Sequence, residues 1–131
     1  MLWLDRIVAA DDHTIACIGS VRSDAPFVRA GRAASVVALE YMAQASAALL
    51  GMQAHRRGVA PVGGYLVGVP TFELFADDLA VGEALEVYAT QIWPDAVRPA
   101  ERLVSLECKV VRAGVAVALA TLNVVRHDPH G

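Results

Sequence analysis

Glu40 and Gln44 are the two side chains whose types and spacing could do chemistry together. They lie within the most apolar stretch of the chain, residues 36–52, and on a helix a separation of four puts them on one face, a turn apart. An ionised carboxylate is costly to bury there without a partner, so Glu40 must be paired, protonated or lining a wet pocket. Those are the environments in which a carboxyl group works as a general acid or base. The Gln44 amide could hydrogen-bond the carboxylate or a substrate group. Each residue also has a plainer explanation. A carboxylate at an exposed helix start is favoured by the helix dipole, and a core glutamine commonly bonds strand backbone.

Few other residues compete. Cys17 and Cys108 each fall in an alternating apolar pattern, which suits small buried thiols better than a disulfide or a metal site. His13 is in a turn cluster, His55 near a helix end, and His127 and His130 in a polar tail, so all four read as surface residues. No ligand cluster surrounds them, and no metal is expected. Glycine-rich phosphate loops and nucleophile elbows are missing from the sequence.

The element that positions Glu40 and Gln44 is a helix expected from Ser35, a good N-cap residue, to Arg56-Arg57, with Gly58 as a left-handed stop. Its first four turns are apolar nearly all round, so something must wrap it, whereas its last turn, residues 53–57, should emerge into solvent. Strands are expected over residues 2–10, 14–21, 65–75, 84–93, 102–112 and 115–126, separated by Asp11-Asp12-His13, Asp77-Asp78, Val81-Gly82, the loop at 94–99 and Ala113-Gly114. Residues 23–34 read as an irregular connection, 61–64 as a turn and 127–131 as a frayed tail. In the clearest strand Val104, Leu106, Cys108 and Val110 fall on one face and Ser105, Glu107 and Lys109 on the other. Short turns between strands suggest a meander curled round the helix: an α+β chain, one domain over residues 1–131.

Composition narrows the partners. The chain has 131 residues, 56% hydrophobic and 19% charged, with a net charge of −3 and no basic stripe. That excludes disorder and argues against nucleic acid as a partner. The apolar run at 36–52 contains Glu40 and Gln44, which favours a buried helix over a membrane span, and Asp5-Arg6 interrupts the N-terminal apolar run, so no export signal is expected and the setting is cytoplasmic.

The segment Leu39-Glu40-Tyr41-Met42-Ala43-Gln44 resembles the Glu-Ala-Met-Ala-Gln motif that opens the central helix of hotdog-fold 3-hydroxyacyl-[acyl-carrier-protein] dehydratases. Met1-Leu2-Trp3-Leu4-Asp5-Arg6 is similar to the family's first strand, Gly68 falls where a glycine follows the helix, and Val81-Gly82-Glu83 resembles a Pro-Gly-Asp turn. The resemblance implies a hotdog fold, an antiparallel sheet of about six strands wrapped round one long helix. It further implies a homodimer or higher homo-oligomer, or a hetero-oligomer with a second hotdog protein. The substrate would be an acyl group on the phosphopantetheine of an acyl carrier protein or on coenzyme A, with no other cofactor. Glu40 would be the catalytic carboxyl group, buried beside an interface tunnel lined by Phe27, Val36, Leu39, Ala43, Leu66 and Gly68. Gln44 and the backbone N–H of Ser35 would support it.

One departure bears on the chemistry. Where the commonest form of the family has its catalytic histidine, this chain has Pro26, followed by a matching Phe27, and Ala34-Ser35 replaces the Pro-Gly before the helix. The chain looks closer to a divergent, aryl-polyene-type branch that carries a Pro-His pair just before the first strand, and the sequence begins inside that strand. Three functions are therefore expected to compete: a dehydratase weakened by lack of the histidine, an acyl-binding subunit of a complete dehydratase, and a hotdog acyl-CoA thioesterase.

Overall fold

The computed structural model describes residues 4–24, 28–59, 64–95 and 102–126. In chain order the elements are β1 (Leu4–Ala10), β2 (Thr14–Ser20), β3 (Val28–Arg29), β4 (Arg32–Ala34), a 3-10 turn (Ser35–Val37), α1 (Ala38–Arg56), β5 (Gly64–Leu74), β6 (Asp78–Ala80), β7 (Ala84–Trp93), β8 (Leu103–Arg112) and β9 (Val115–Arg126). Period-two alternation builds the centre: Leu85, Val87 and Ala89 of β7, with Val104, Leu106, Cys108 and Val110 of β8, all turn inward and are buried. The opposite faces of β7 and β8 carry the exposed Glu86, Glu107 and Lys109.

Six strands form one antiparallel sheet in the order β1-β2-β7-β8-β9-β5. The expected meander holds only for β7, β8 and β9. α1, about 28 Å long by its rise, carries the chain across the sheet, so β5 pairs with β9 at the far edge and the chain then returns to the centre as β7. The stretch expected to be irregular also contains structure: β3 and β4 form a hairpin over Ala30 and Gly31, and with β6 they make a three-stranded sheet beside the helix start. Strands of two or three residues are too short to show a period.

α1 packs chiefly on β7, β2 and β8. Tyr41, Met42, Ala45 and Leu49 are fully buried there. With its preceding turn the helix is long and apolar enough to cross a membrane, but it forms the inner layer of this sheet instead. Cys17 and Cys108 are free, buried thiols as expected.

Candidate active site at the start of the central helix

The start of α1 has no side-chain cap. Ala34 and Val37 precede the 3-10 turn and the helix respectively, and neither makes a capping hydrogen bond. Ser35 was expected as N-cap but lies inside the 3-10 turn, buried, and its backbone N–H donates to the Asp77 carbonyl at 3.3 Å. The donor expected to polarise a substrate carbonyl is thus already engaged within the chain. Val36 supplies the next N–H of the turn, which has no acceptor earlier in the helix. Its side chain is 45% exposed.

Glu40 sits in the first turn of α1 and accepts a hydrogen bond from Gln44 Nε2 at 3.3 Å. The i, i+4 spacing delivers the pairing that the residue types suggested. Within one chain Glu40 is exposed, Ala43 and Gln44 are half-buried and Ala47 is exposed, while Leu39 is half-buried on the flank. The sheet covers only the opposite side of the helix, so the burial expected of Glu40 would have to come from a second subunit. Leu66 is exposed and Gly68 half-buried on β5, two strands beyond β8 and away from the strands on which α1 chiefly packs. The helix residues and the β5 residues of the expected tunnel therefore form two separate groups in the single chain. Phe27 and Pro26 lie outside the described residues, as do His127 and His130.

Neither described histidine approaches Glu40. His55 is fifteen residues further along α1, a rise of about 22 Å. His13 belongs to the β1–β2 hairpin, which grips that same far end: Asp12 accepts from Gln53 Nε2 through its carbonyl at 2.9 Å and from Arg56 Nη1 through its carboxylate at 2.6 Å. His13 is also less open than a surface turn residue should be. It is half-buried, and its Nε2 is enclosed with no hydrogen-bond partner among the described residues.

The same far end holds a polar cluster that sequence reasoning missed. Gln53, expected in solvent, is buried and donates through Nε2 to Gln91 Oε1 at 2.7 Å. Gln91 Nε2 donates to the Pro94 carbonyl at 2.8 Å, and Arg126 Nη2 to Gln53 Oε1 at 3.4 Å. A signal was present: Gln91 and Arg126 continue the inward phases of β7 and β9, so polar groups were due to meet under the end of the helix.

Elsewhere the core is chemically quiet. Burial pushes the Cys108 thiol up to about 11, against a weaker lowering by its hydrogen bond with Ser46. Burial, with the charge of Asp5, pushes the Tyr41 phenol up to about 12. Among the described residues no group of three or more histidine, cysteine, aspartate or glutamate side chains could hold a metal ion.

A family model described as ApeP-like, ApeP dehydratase, matches residues 1–130. No curated protein sequence matches. Among solved structures, the chain is similar to the dehydratase heterocomplex ApeI:P from Xenorhabdus doucetiae, with 21% identity, a TM-score of 0.83 and coverage of 98% of this chain and 85% of that one. It is also similar to a hypothetical thioesterase with coenzyme A from Streptococcus pneumoniae TIGR4, at 10% identity and TM-score 0.69, covering 93% of this chain and 84% of that one. The E. coli PaaI protein from the phenylacetic acid degradation operon matches at 12% identity and TM-score 0.68, covering 94% and 79%. At such identities these structures establish the fold, which is the hotdog.

Proposed function

The chain belongs to the ApeP-like dehydratase family, and from that premise we propose that it takes part in removing water from a 3-hydroxyacyl thioester on the phosphopantetheine of an acyl carrier protein. The acyl chain belongs to fatty-acid or polyene-type lipid synthesis, and the setting we infer is the cytoplasm. One observation carries the reading: Glu40, paired with Gln44, stands on the uncovered face of an otherwise apolar core helix, with no described histidine within reach.

The chemistry then divides between two chains. A base from a second hotdog protein takes the C2 proton, and the electron pair released forms the C2–C3 double bond as the C3–O bond breaks. Glu40, in its acid form, gives its proton to the departing hydroxyl, so that water leaves; the C2 proton later restores Glu40. Gln44 holds the carboxyl group in place, and the Val36 N–H, next after the engaged Ser35 N–H, polarises the thioester carbonyl. With the base supplied by the second chain, this chain alone is expected to dehydrate slowly, because general-base catalysis is typically worth roughly a hundred- to ten-thousand-fold.

Two features support a partner. β5 is an edge strand on which Tyr65, Leu66 and Val67 are 60%, 46% and 58% exposed, an open apolar edge of the kind that proteins cover. The similar ApeI:P structure is itself a heterocomplex. A partner seated on β5 and the open face of α1 would bring the two groups of tunnel residues, Val36, Leu39 and Ala43 with Leu66 and Gly68, under one cover.

The test is mass spectrometry of a 3-hydroxyacyl carrier protein incubated with this chain, alone and with a co-purified hotdog partner. We expect rapid water loss only with both chains, and its disappearance with Glu40→Gln. Rapid loss that survives Glu40→Gln would make this chain an acyl-binding subunit. Thioester hydrolysis without water loss would make it a thioesterase.

A further inference from the structure

We propose that Tyr41 is the positioning residue for Glu40: its phenol ties the uncapped start of α1 to the end of β2 and so sets where the Glu40 carboxyl group stands. The inference rests on the dehydration reading of Glu40. Three observations lead to it.

The first is that α1 begins without a side-chain cap, so its first turn lacks the usual device against fraying. The second is that Tyr41 is fully buried and its hydroxyl donates to the Ser20 carbonyl at 2.8 Å. That carbonyl is firmly held. Ser20 pairs with Ala84 of β7, and the next residue, Val21, donates to the Glu83 carbonyl at 3.3 Å and accepts from the Gly82 N–H at 2.7 Å. The third is adjacency. Successive helical residues are 100° apart, so a contact fixing Tyr41 on the sheet side fixes both the rotation and the axial position of Glu40 on the open side. Together with the Ser35 N–H bond to Asp77, the phenol makes a second hydrogen-bonded attachment for a turn otherwise held by the packing of Val37 and Ala38 in the core.

Placement matters more for Glu40 than for most residues, because an acid must meet the departing hydroxyl, and a misplacement of about 1 Å can cost on the order of a hundred-fold in rate. The phenol bonds Ser20 on the sheet side of the helix, and its proposed action runs through the helix.

Tyr41→Phe removes one oxygen and keeps the ring. In the complex with its hotdog partner, on a 3-hydroxyacyl carrier protein, we expect kcat to fall about ten-fold with KM within about two-fold of wild type, since binding is spread over the whole chain while proton delivery is local. Amide hydrogen exchange should quicken over residues 35–42 and stay unchanged over residues 49–54. In the Glu40→Gln background the added Tyr41→Phe should leave the residual rate where it was, because a residue that acts through Glu40 has nothing left to position. An unchanged kcat beside a lowered melting temperature would overturn the proposal, leaving the phenol a purely structural group. If the wild-type complex removes no water at all, the dehydration reading fails, and the exchange experiment still decides the tether: unaltered protection of residues 35–42 in Tyr41→Phe would overturn it.

Discussion

The two ends of α1 treat polar side chains in opposite ways. At the far end Gln53 is buried and bonded to Gln91, to the Asp12 carbonyl and to Arg126. At the near end Glu40 is exposed and receives a long 3.3 Å bond from Gln44. The far cluster joins the helix, β7, β9 and the β1–β2 hairpin, and Gln53 uses both ends of its amide in doing so. The Glu40–Gln44 bond lies within one helix and, among the described residues, leaves most of the carboxylate's acceptor capacity open. Saturated hydrogen bonding marks a group that holds the fold, and unspent capacity on an apolar helix marks one free to meet a substrate.

The sharpest way to break that contrast is to exchange the expected effects of two substitutions. Glu40→Gln should lower dehydration by the partnered complex by roughly a hundred- to ten-thousand-fold, while unfolding free energy stays within about 0.5 kcal/mol, as for an exposed site. Mass spectrometry and denaturant melts on the same sample would show it. A large loss of stability would mean that Glu40 is a structural group.

Gln53→Ala should do the reverse. It strips hydrogen bonds from Gln91 and from the Asp12 carbonyl and leaves a small void, and each buried group left unsatisfied costs about 1–3 kcal/mol, so a loss of about 3 kcal/mol is expected in urea unfolding. Turnover per folded molecule should be unchanged. A drop in kcat at full folding would show that the far cluster reaches the chemistry, and the division between the two ends would fail.

How much of this was legible follows the same line. The ends of β7 and β9 and the span of the helix were readable, because alternation and the apolar run persist over ten or more residues. The pairing of Glu40 with Gln44 was readable from their spacing. The exposure of Glu40 stayed open between a buried site and an exposed helix start, since a sequence does not say which side of a greasy helix its own sheet leaves bare. Ser35 was misread because its residue type suits an N-cap while the Asp77 carbonyl, distant in sequence, draws it into a 3-10 turn. Gln53 was misread because a polar residue in a last helical turn usually meets water. The β3–β4 hairpin was the avoidable miss: its Ala30-Gly31 turn repeats the Ala113-Gly114 dipeptide that was read correctly.

Alkaline pH separates the two ends without a mutation. The Tyr41 phenol, pushed up to about 12 from 10.0, contributes stability that is fully present below pH 10 and is lost as pH rises through about 12. That contribution is on the order of 2 kcal/mol. The Gln53–Gln91 pair at the far end has nothing to lose in that window, since amides do not titrate. Cys108, pushed up to about 11, titrates in the same range from mid-core. Tyr41→Phe should therefore shrink the alkaline loss without removing it, whereas Gln53→Ala should lower stability equally at pH 8 and pH 11. A pH-stability curve for Tyr41→Phe that parallels wild type would remove the phenol from the account.

The smallest expected effect lies in the β8–β9 hairpin, and it tests whether stability can be changed without touching either end of α1. Arg112 pairs with Val115, so Ala113 and Gly114 form a two-residue loop, with φ of 49° and 80°. Both central residues are left-handed, the type I′ arrangement whose twist matches the strands. Gly114 adopts that conformation freely, but Ala113 has a Cβ that crowds the following carbonyl, at a cost of roughly 1–2 kcal/mol. Asparagine tolerates the left-handed region better, through local hydrogen bonding, and Asn-Gly is the favoured pair for this turn. Ala113→Asn should therefore stabilise the fold by about 0.5–1 kcal/mol and raise the melting temperature by about 2–4 °C. The hairpin adjoins Arg112, which donates to the Asp78 carbonyl and the Glu83 carboxylate on the helix-start side, but Ala113 itself is exposed, so turnover should not change. A melting temperature equal to or below that of wild type would mean that the strain at Ala113 is relieved in the folded chain by a shift of the turn, and the same substitution at Ala30, with φ of 51°, should then fail in the same way.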